Sequence, residues 1–437
     1  MTDLVRIEPA MLHGSVAAPP SKSLAHRAII AAALADGESR IHNIAQSADI
    51  LATLRCMRAL GAKCRVNAKT GTAVVAPKKA RPKGPLTLDC GESGSTLRFL
   101  IPLALLHGAP VTFVGHGRLM QRPLGPYFEI FREKGIRAAA KDGSLTVEGS
   151  LPAGRYRLPG DVSSQFVSGL LFALPLLQGD SEIVLTSPLE SKGYVDMTIE
   201  VLRQFGIRVE NRGYRSIRIA GGQRYRAQDY TVEGDYSQAA FFLVAGALGC
   251  DVRCTGLRPD SLQGDKAILE LIRQTGALVE QPAEGCFQAR RTAVMHGIRA
   301  DVREIPDLVP ILAVLCAFCP GESRIEGAAR LRIKESDRLS AITHELRQMG
   351  ADITEGSDSL LIRGRDMLCA CTTSAWNDHR IAMALAIAAC RVEGEVLITG
   401  AQEAVKKSYP DFFEVYARLA KPARKRLVQE PEGGGWQ

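Results

Sequence analysis

The chain has 437 residues, of which 46% are hydrophobic and 23% charged. That length exceeds one ordinary core, and the composition is that of a globular protein with ample apolar material to bury. The formal charge of +8 implies acidic partners without saying whether they are nucleic acid or small anions.

The N-terminal MTDLVRIEPAMLHG has no apolar leader region, so no secretion signal is expected. No apolar run reaches the roughly 20 residues of a bilayer span, so the chain is expected to have no membrane partner and to be cytoplasmic. The eleven cysteines are scattered, which fits free thiols in a reducing compartment. Cys316 and Cys319 form a C-x-x-C inside apolar ILAVLCAFC, and core packing is the expected role.

In chain order, the first expected element is an apolar helix with a polar start, SKSLAHRAIIAAAL, followed by a strand, SRIHNI. An amphipathic helix ends in LRCMRALG and leads to a second extended stretch. The pattern then returns. Polar starts precede apolar helices in SGSTLRFLIPLALL, SSQFVSGLLFALPLL, YSQAAFFLVAGAL, PDLVPILAVLCAF and NDHRIAMALAIAA. With Ser23, Ser95, Ser164, Ser237, Asp307 and Asn377 as markers, the steps are 72, 69, 73, 70 and 70 residues.

A second series runs in phase. Gly61, Gly135, Gly206, Gly276 and Gly350 end the amphipathic helices at separations of 74, 71, 70 and 74 residues, each as a left-handed residue just past the helix. The helix FFEVYARLA closes the series. Strands are expected at VTFVGH, EIVLTS, VRCTGL, SRIEGA and EVLITG after the apolar helices, and at SLTVEG, SIRIAG and SLLIRG after the others. One repeat of about seventy residues therefore reads βαβαββ, and six repeats divide as three plus three. The apolar helices lack a polar face and should be buried.

The polar outliers gather at helix starts, where free N–H groups and the helix dipole favour anions. Lys22, Arg27, Arg98, Arg122, Lys334, Arg338, Arg380 and Lys407 stand at or near such starts, with the hydroxyls of Ser21, Ser23, Ser95, Thr96, Ser163 and Ser164. Guanidinium forks bind carboxylate and phosphate in pairs, and lysine acts as a point charge. In IKESDRL, Lys334 and Arg338 are four apart and would share a face if the helix reached that far. No phosphate loop of the G-x-x-x-x-G-K-[ST] kind and no G-x-G-x-x-G occurs.

The segments SKSLAHRA, SGSTLR, RPLGP, GDVSSQF, SKGYVDMT, VEGDYSQAA, IKESDRL, WNDHRIAMA and KKSYPDFF come in an order that resembles the 5-enolpyruvylshikimate-3-phosphate synthase family, from about Leu4 to Ala420. The resemblance implies an α/β fold of two similar domains, each of three βαβαββ repeats with buried parallel helices, an inside-out α/β barrel. The expected boundaries are 19–227 for the first domain and 1–18 with 228–420 for the second, with 421–437 a disordered tail. It implies transfer of the enolpyruvyl group of phosphoenolpyruvate to the 5-hydroxyl of shikimate 3-phosphate, by a monomer with no metal or organic cofactor, and glyphosate as an inhibitor.

By the same resemblance, Ser23 and Arg27 hold the shikimate carboxylate. Ser163, Ser164 and Ser191 hold its phosphate, and Tyr194 lines the ring. Gln165 lies between the substrates. Lys22, Arg122 and Lys407 surround the phosphate of phosphoenolpyruvate, Arg338 and Arg380 clamp its carboxylate, Gly94 leaves room for it, and Ser95 lies beside it. Asp307 and Lys334 contact the 5-hydroxyl. Glu335 moves the methylene proton, Asp307 the hydroxyl proton, and Lys22 assists the leaving phosphate.

This chain departs from the family pattern at Glu92, where asparagine is frequent, at Arg330, where many relatives have asparagine, and at Phe99, where proline is common. The nearest alternative is transfer to UDP-N-acetylglucosamine, disfavoured because GHGRLMQRPLG lacks the cysteine common there. An RNA-binding or RNA-end-processing protein would show a basic stripe and stacking aromatics, and aromatics are only 5%. No nucleic-acid partner is therefore expected.

Overall fold

The computed structural model describes residues 3–77 and 82–420; the tail expected to be disordered lies outside them. A helix without a polar stripe has to be covered on every side, and the six apolar helices are. They run Lys22–Leu34, Gly94–Ala104, Ser164–Ala173, Tyr236–Ala247, Val309–Ala317 and His379–Ala388. Every residue of Tyr236–Ala247 is buried. Cys316 and Cys319 are fully buried here as packing residues, and all eleven cysteines are free thiols.

Sheets and amphipathic helices wrap the buried helices. The second repeat shows the plan: Leu86–Asp89 pairs parallel with Val111–Val114, which pairs antiparallel with Ser144–Glu148, which pairs antiparallel with Arg137–Lys141. Among the described residues, five four-stranded sheets share this order. The sixth differs: Thr372–Ser374 and Val396–Thr399 pair in parallel, and the N-terminal strand Leu4–Ile7 completes the sheet antiparallel to Val396–Thr399. The glycines at 61, 135, 206, 276 and 350 all have positive φ, as a helix-ending role requires. Strands Thr72–Ala76 and Cys286–Arg290 escape the sequence reading. The first is an apolar run without alternation, and the second carries Gln288, whose amide is spent on Asp251 at 2.6 Å.

The buried side chains form two cores. One holds residues from Leu24 to Val232, the other Ile7, Leu12 and Val16 with residues from Tyr236 to Leu419. These are the two domains of an inside-out α/β fold. The chain passes between them twice. His13–Ala17 pairs with Asp251–Thr255 of the second domain, whereas Tyr230–Thr231 pairs with Ile41–His42 of the first. Pro20 and Gly234 bridge where the two passages run side by side. No helix among the described residues is long and apolar enough to cross a membrane.

Candidate active site

The two passages bring the N-terminal ends of buried helices from both domains to one cleft. Four of these helices are capped by their own side chains: Ser93 accepts from Thr96 N, Ser163 from Gln165 N, Asp235 from Ser237 N and Gln238 N, and Asp378 from Arg380 N. Ser21 caps nothing. Capping thus explains part of the polar pattern, and the cations need another explanation. Eight lysines and arginines line the cleft against four carboxylates, so the lining carries an excess of positive charge suited to anionic ligands.

The structure brings together every predicted site residue but one. Lys22, Ser23, Arg27, Gly94, Ser95, Arg122, Ser163, Ser164, Gln165, Ser191 and Tyr194 come from the first domain. Asp307, Lys334, Glu335, Arg338 and Arg380 face them from the second. The exception is Lys407, which is absent from the lining; its Nζ donates to Glu92 Oε2 at 2.8 Å and to the Asn377 carbonyl at 2.6 Å.

Arg338 is the hub. Its guanidinium is fully buried and donates to Asp378 Oδ2 through Nε at 2.8 Å, to Asp307 Oδ1 through Nη1 at 2.9 Å, and to Glu335 Oε2 through Nη2 at 2.8 Å. Arg380 Nη2 reaches Asp307 Oδ2 and Ser237 Oγ, both at 3.0 Å. Lys334 Nζ lies 3.4 Å from Asp307. The helix that follows begins only at Arg338, and a 3-10 helix ends at Ile333. Lys334 and Glu335 therefore sit in a loop, which corrects the expectation of a helix face shared by Lys334 and Arg338. Asp337 caps the helix by accepting from Ser340 N at 3.1 Å and pairs with Arg332 at 3.0 Å; it has no bond to Arg338.

Several contacts cross the cleft. Arg122 Nη2 lies 3.3 Å from Glu335 Oε1. The Tyr194 hydroxyl donates to Asp307 Oδ2 at 3.2 Å. Arg330 Nη2 donates to Ser191 Oγ at 2.9 Å and its Nε pairs with Glu190 at 2.6 Å. Arg27 is held inside the first domain by Thr198 Oγ1, the Ser23 carbonyl and the Tyr194 carbonyl at 2.8, 2.6 and 2.9 Å. Gln165 links Arg98 and Ser95 at 2.7 and 3.0 Å. A Cβ on Gly94 would come 2.7 Å from Arg122 Nη1, so the glycine makes room for that guanidinium.

Burial alone pushes the carboxyls of Asp307 and Glu335 up, but their cations outweigh it. Arg380, Lys334 and Arg338 hold Asp307 well below the usual carboxylate range, and Arg122, Arg338 and Lys334 do the same for Glu335. Both are ionised bases in this state. Burial pushes His379 well down, aided by Lys22, Arg380 and Arg338, so its imidazole is neutral.

Four further groups escape the sequence reading or are left unassigned by it. Asp49 pairs with Lys22 at 2.8 Å, yet on paper it is an ordinary acid in a first helical turn. Asp378 anchors Arg338, Arg98 holds Gln165, and Asp265 lies 3.5 Å from the Tyr194 hydroxyl. Burial first, then Asp307 and Asp235, against Arg380 and Lys334, push Asp265 up to about 7. Its folded pKa exceeds its unfolded value, so the native state holds this proton longer and stability falls as pH rises toward 7. Asp265→Asn removes that loss; the melting-temperature difference between variant and parent should grow in the variant's favour from pH 5 to pH 8, as thermal denaturation at both values would show.

Among the described residues no cluster of three or more His, Cys, Asp or Glu is disposed to hold a metal ion. Fold and cleft together define a two-domain enzyme of small anionic substrates. A family model described as EPSP synthase (3-phosphoshikimate 1-carboxyvinyltransferase) matches residues 7–416, and the chain belongs to that family. It is 49% identical over 419 residues to the 3-phosphoshikimate 1-carboxyvinyltransferase of Clostridium acetobutylicum, covering 95% of this chain and 97% of that protein. The enzyme of the same name from Clostridium novyi is 46% identical over 424 residues, with the same coverage. Among solved structures, an EPSP synthase from Acinetobacter baumannii superposes with a TM-score of 0.79 at 27% identity, covering 96% of this chain and 98% of that one.

Proposed function

We propose that the cleft transfers the enolpyruvyl group of phosphoenolpyruvate to the 5-hydroxyl of shikimate 3-phosphate and releases inorganic phosphate, by addition and elimination through a tetrahedral ketal. The observation that carries this reading is the Arg338 hub, one buried guanidinium bonded to two cleft carboxylates, Asp307 and Glu335. Relatives named for this transfer support it over transfer to UDP-N-acetylglucosamine.

In addition, Asp307 takes the 5-hydroxyl proton as that oxygen bonds to C2 of phosphoenolpyruvate, and Glu335 delivers a proton to the methylene carbon. In elimination, Glu335 takes back a methyl proton, the C2–O bond to phosphate breaks, and Lys22 protonates the departing group. Glu335 is ionised beside Arg122 and Arg338, the wrong state for a donor. Two bound polyanions engage those cations and closure excludes water, and both effects raise its pKa into a donor range.

Ser163, Ser164 and Ser191 hold the shikimate phosphate, Ser23 and Arg27 its carboxylate, and Tyr194 the ring. Lys334 contacts the 5-hydroxyl. Arg122, Lys22 and Lys407 serve the phosphate of phosphoenolpyruvate, Arg338 and Arg380 its carboxylate, and Gly94, Ser95 and Gln165 lie beside it. Arg330 contacts Ser191 and adds a cation at the shikimate phosphate. The domains divide at 19–227 against 1–18 with 228–420, with Tyr230–Thr231 lending a strand back to the first. One chain supplies the whole site and its thiols are free, which supports a monomer in a reducing cytoplasm. The cations face the cleft, so small anions and not nucleic acid are the partners. Glyphosate, with a carboxylate and a phosphonate, fits as a competitor of phosphoenolpyruvate.

Phosphate release with each substrate omitted in turn tests the reaction: release should require both, and release from either alone would refute it. Gly94→Ala should push Arg122 aside and raise KM for phosphoenolpyruvate roughly tenfold, about 1.4 kcal/mol, with KM for shikimate 3-phosphate unchanged in steady-state assays.

A further inference from the structure

Lys407, absent from the cleft lining, is bonded to a carboxylate. Glu92 lies in the loop before the helix Gly94–Ala104 of the first domain, and Lys407 and Asn377 belong to the second. The contact at 2.8 Å therefore spans the domains. Neighbouring backbone joins it, since Ala48 N of the first domain donates to the Lys406 carbonyl at 2.9 Å.

The chain is shaped around Glu92 on both sides. A Cβ on Gly117 would stand 2.6 Å from Glu92 Oε2, and Gly117 has φ +55, so only glycine leaves the carboxylate its place. Opposite, Trp376 and Asn377 both adopt left-handed backbone, at φ 53 and 52. That conformation is costly for a bulky residue and persists only where the surroundings impose it. The strained turn aims two groups of Asn377 at the pair. Its carbonyl accepts from Lys407 at 2.6 Å, and its Nδ2 donates to Glu92 Oε2 at 3.2 Å.

We propose that Glu92 is an intramolecular counter-anion that docks Lys407 off the phosphate site, so that the phosphate of phosphoenolpyruvate competes with the Glu92 carboxylate for this ammonium. Glu92 is thus a positioning residue acting through Lys407, and the proposal rests on the reading of Lys407 as a phosphate ligand. A lysine suits the exchange, because its ammonium is a point charge with rotatable donors on a flexible stem. Return of Lys407 to Glu92 favours departure of inorganic phosphate at the end of the cycle. Removing the carboxylate frees that cation, which acts toward tighter binding of a phosphate dianion.

The test uses Glu92→Gln, Lys407→Ala and the double variant in the full chain, with Glu92→Asn in reserve should the glutamine variant fail to melt cooperatively. Steady-state assays give KM for each substrate and the inhibition constant of inorganic phosphate. Glu92→Gln should lower KM for phosphoenolpyruvate and the phosphate inhibition constant by roughly three- to tenfold, leave KM for shikimate 3-phosphate unchanged, and have no effect in the Lys407→Ala background. An unchanged or raised KM for phosphoenolpyruvate in Glu92→Gln, with Lys407→Ala raising it, overturns the role of Glu92 and leaves Lys407 a phosphate ligand. An unchanged KM in Lys407→Ala refutes the reading of Lys407 itself. An effect of Glu92→Gln that survives in the double variant overturns the proposal by showing that the carboxylate does not act through Lys407.

Discussion

Glu335→Ala should lower turnover by roughly 10²–10⁴-fold, the range for losing a positioned acid or base, while both substrates still bind. The same carboxylate is assigned protonation in one half-reaction and deprotonation in the other, so its loss blocks both. Binding survives because the carboxylate is a partner of two cations proposed to grip the substrates: Arg338 at 2.8 Å and Arg122 at 3.3 Å. Without it those guanidinium groups face a substrate anion unopposed. Calorimetric titration and single-turnover phosphate release separate the two effects, and turnover near that of the parent chain would remove Glu335 from the mechanism.

Arg338→Ala is expected to damage both stability and binding. It leaves Asp378, Asp307 and Glu335 without the guanidinium that bridges them, and breaking a buried ion pair by removing one partner costs about 3–5 kcal/mol. The variant should unfold at markedly lower denaturant and lose measurable saturation by phosphoenolpyruvate. Arg338→Lys restores the charge but not the fork, because one ammonium cannot span three carboxylates in one plane. It should recover part of the stability and little of the binding. Denaturant titration and initial rates report the two quantities, and a lysine variant with parental KM would contradict the bridging role.

The fold is legible in the sequence because its signals are local. A left-handed glycine past five of the amphipathic helices and a polar start before each apolar one leave marks at fixed positions, and their seventy-residue spacing exposes the repeat. The site is legible only where chemistry gathers within a few residues, as in IKESDRL and NDHR. Even there the charge spacing misleads: Lys334 and Arg338 mimic one helical turn, yet the helix starts at Arg338 behind an Asp337 cap. Partners brought together by folding alone leave no trace. Lys22 meets Asp49 across 27 residues and Glu92 meets Lys407 across 315, and no periodicity records such distances. Asp265 reads as part of an ordinary amphipathic helix, because its burial near Asp307, Asp235 and Tyr194 exists only in the folded chain.

The strand Leu4–Ile7 is made long before its partner. Its partner, Val396–Thr399, leaves the ribosome almost four hundred residues later, and His13–Ala17 waits for Asp251–Thr255. Nearly all of the first domain comes from a continuous stretch and can fold while synthesis proceeds, since domains fold as units in order of emergence. The second domain cannot finish until Leu4–Ile7 meets Val396–Thr399. Its assembly therefore carries the long loop closures and the slow step. The leading segment spends the early part of translation as two unpaired strands, one waiting for Asp251–Thr255 and the other for Val396–Thr399.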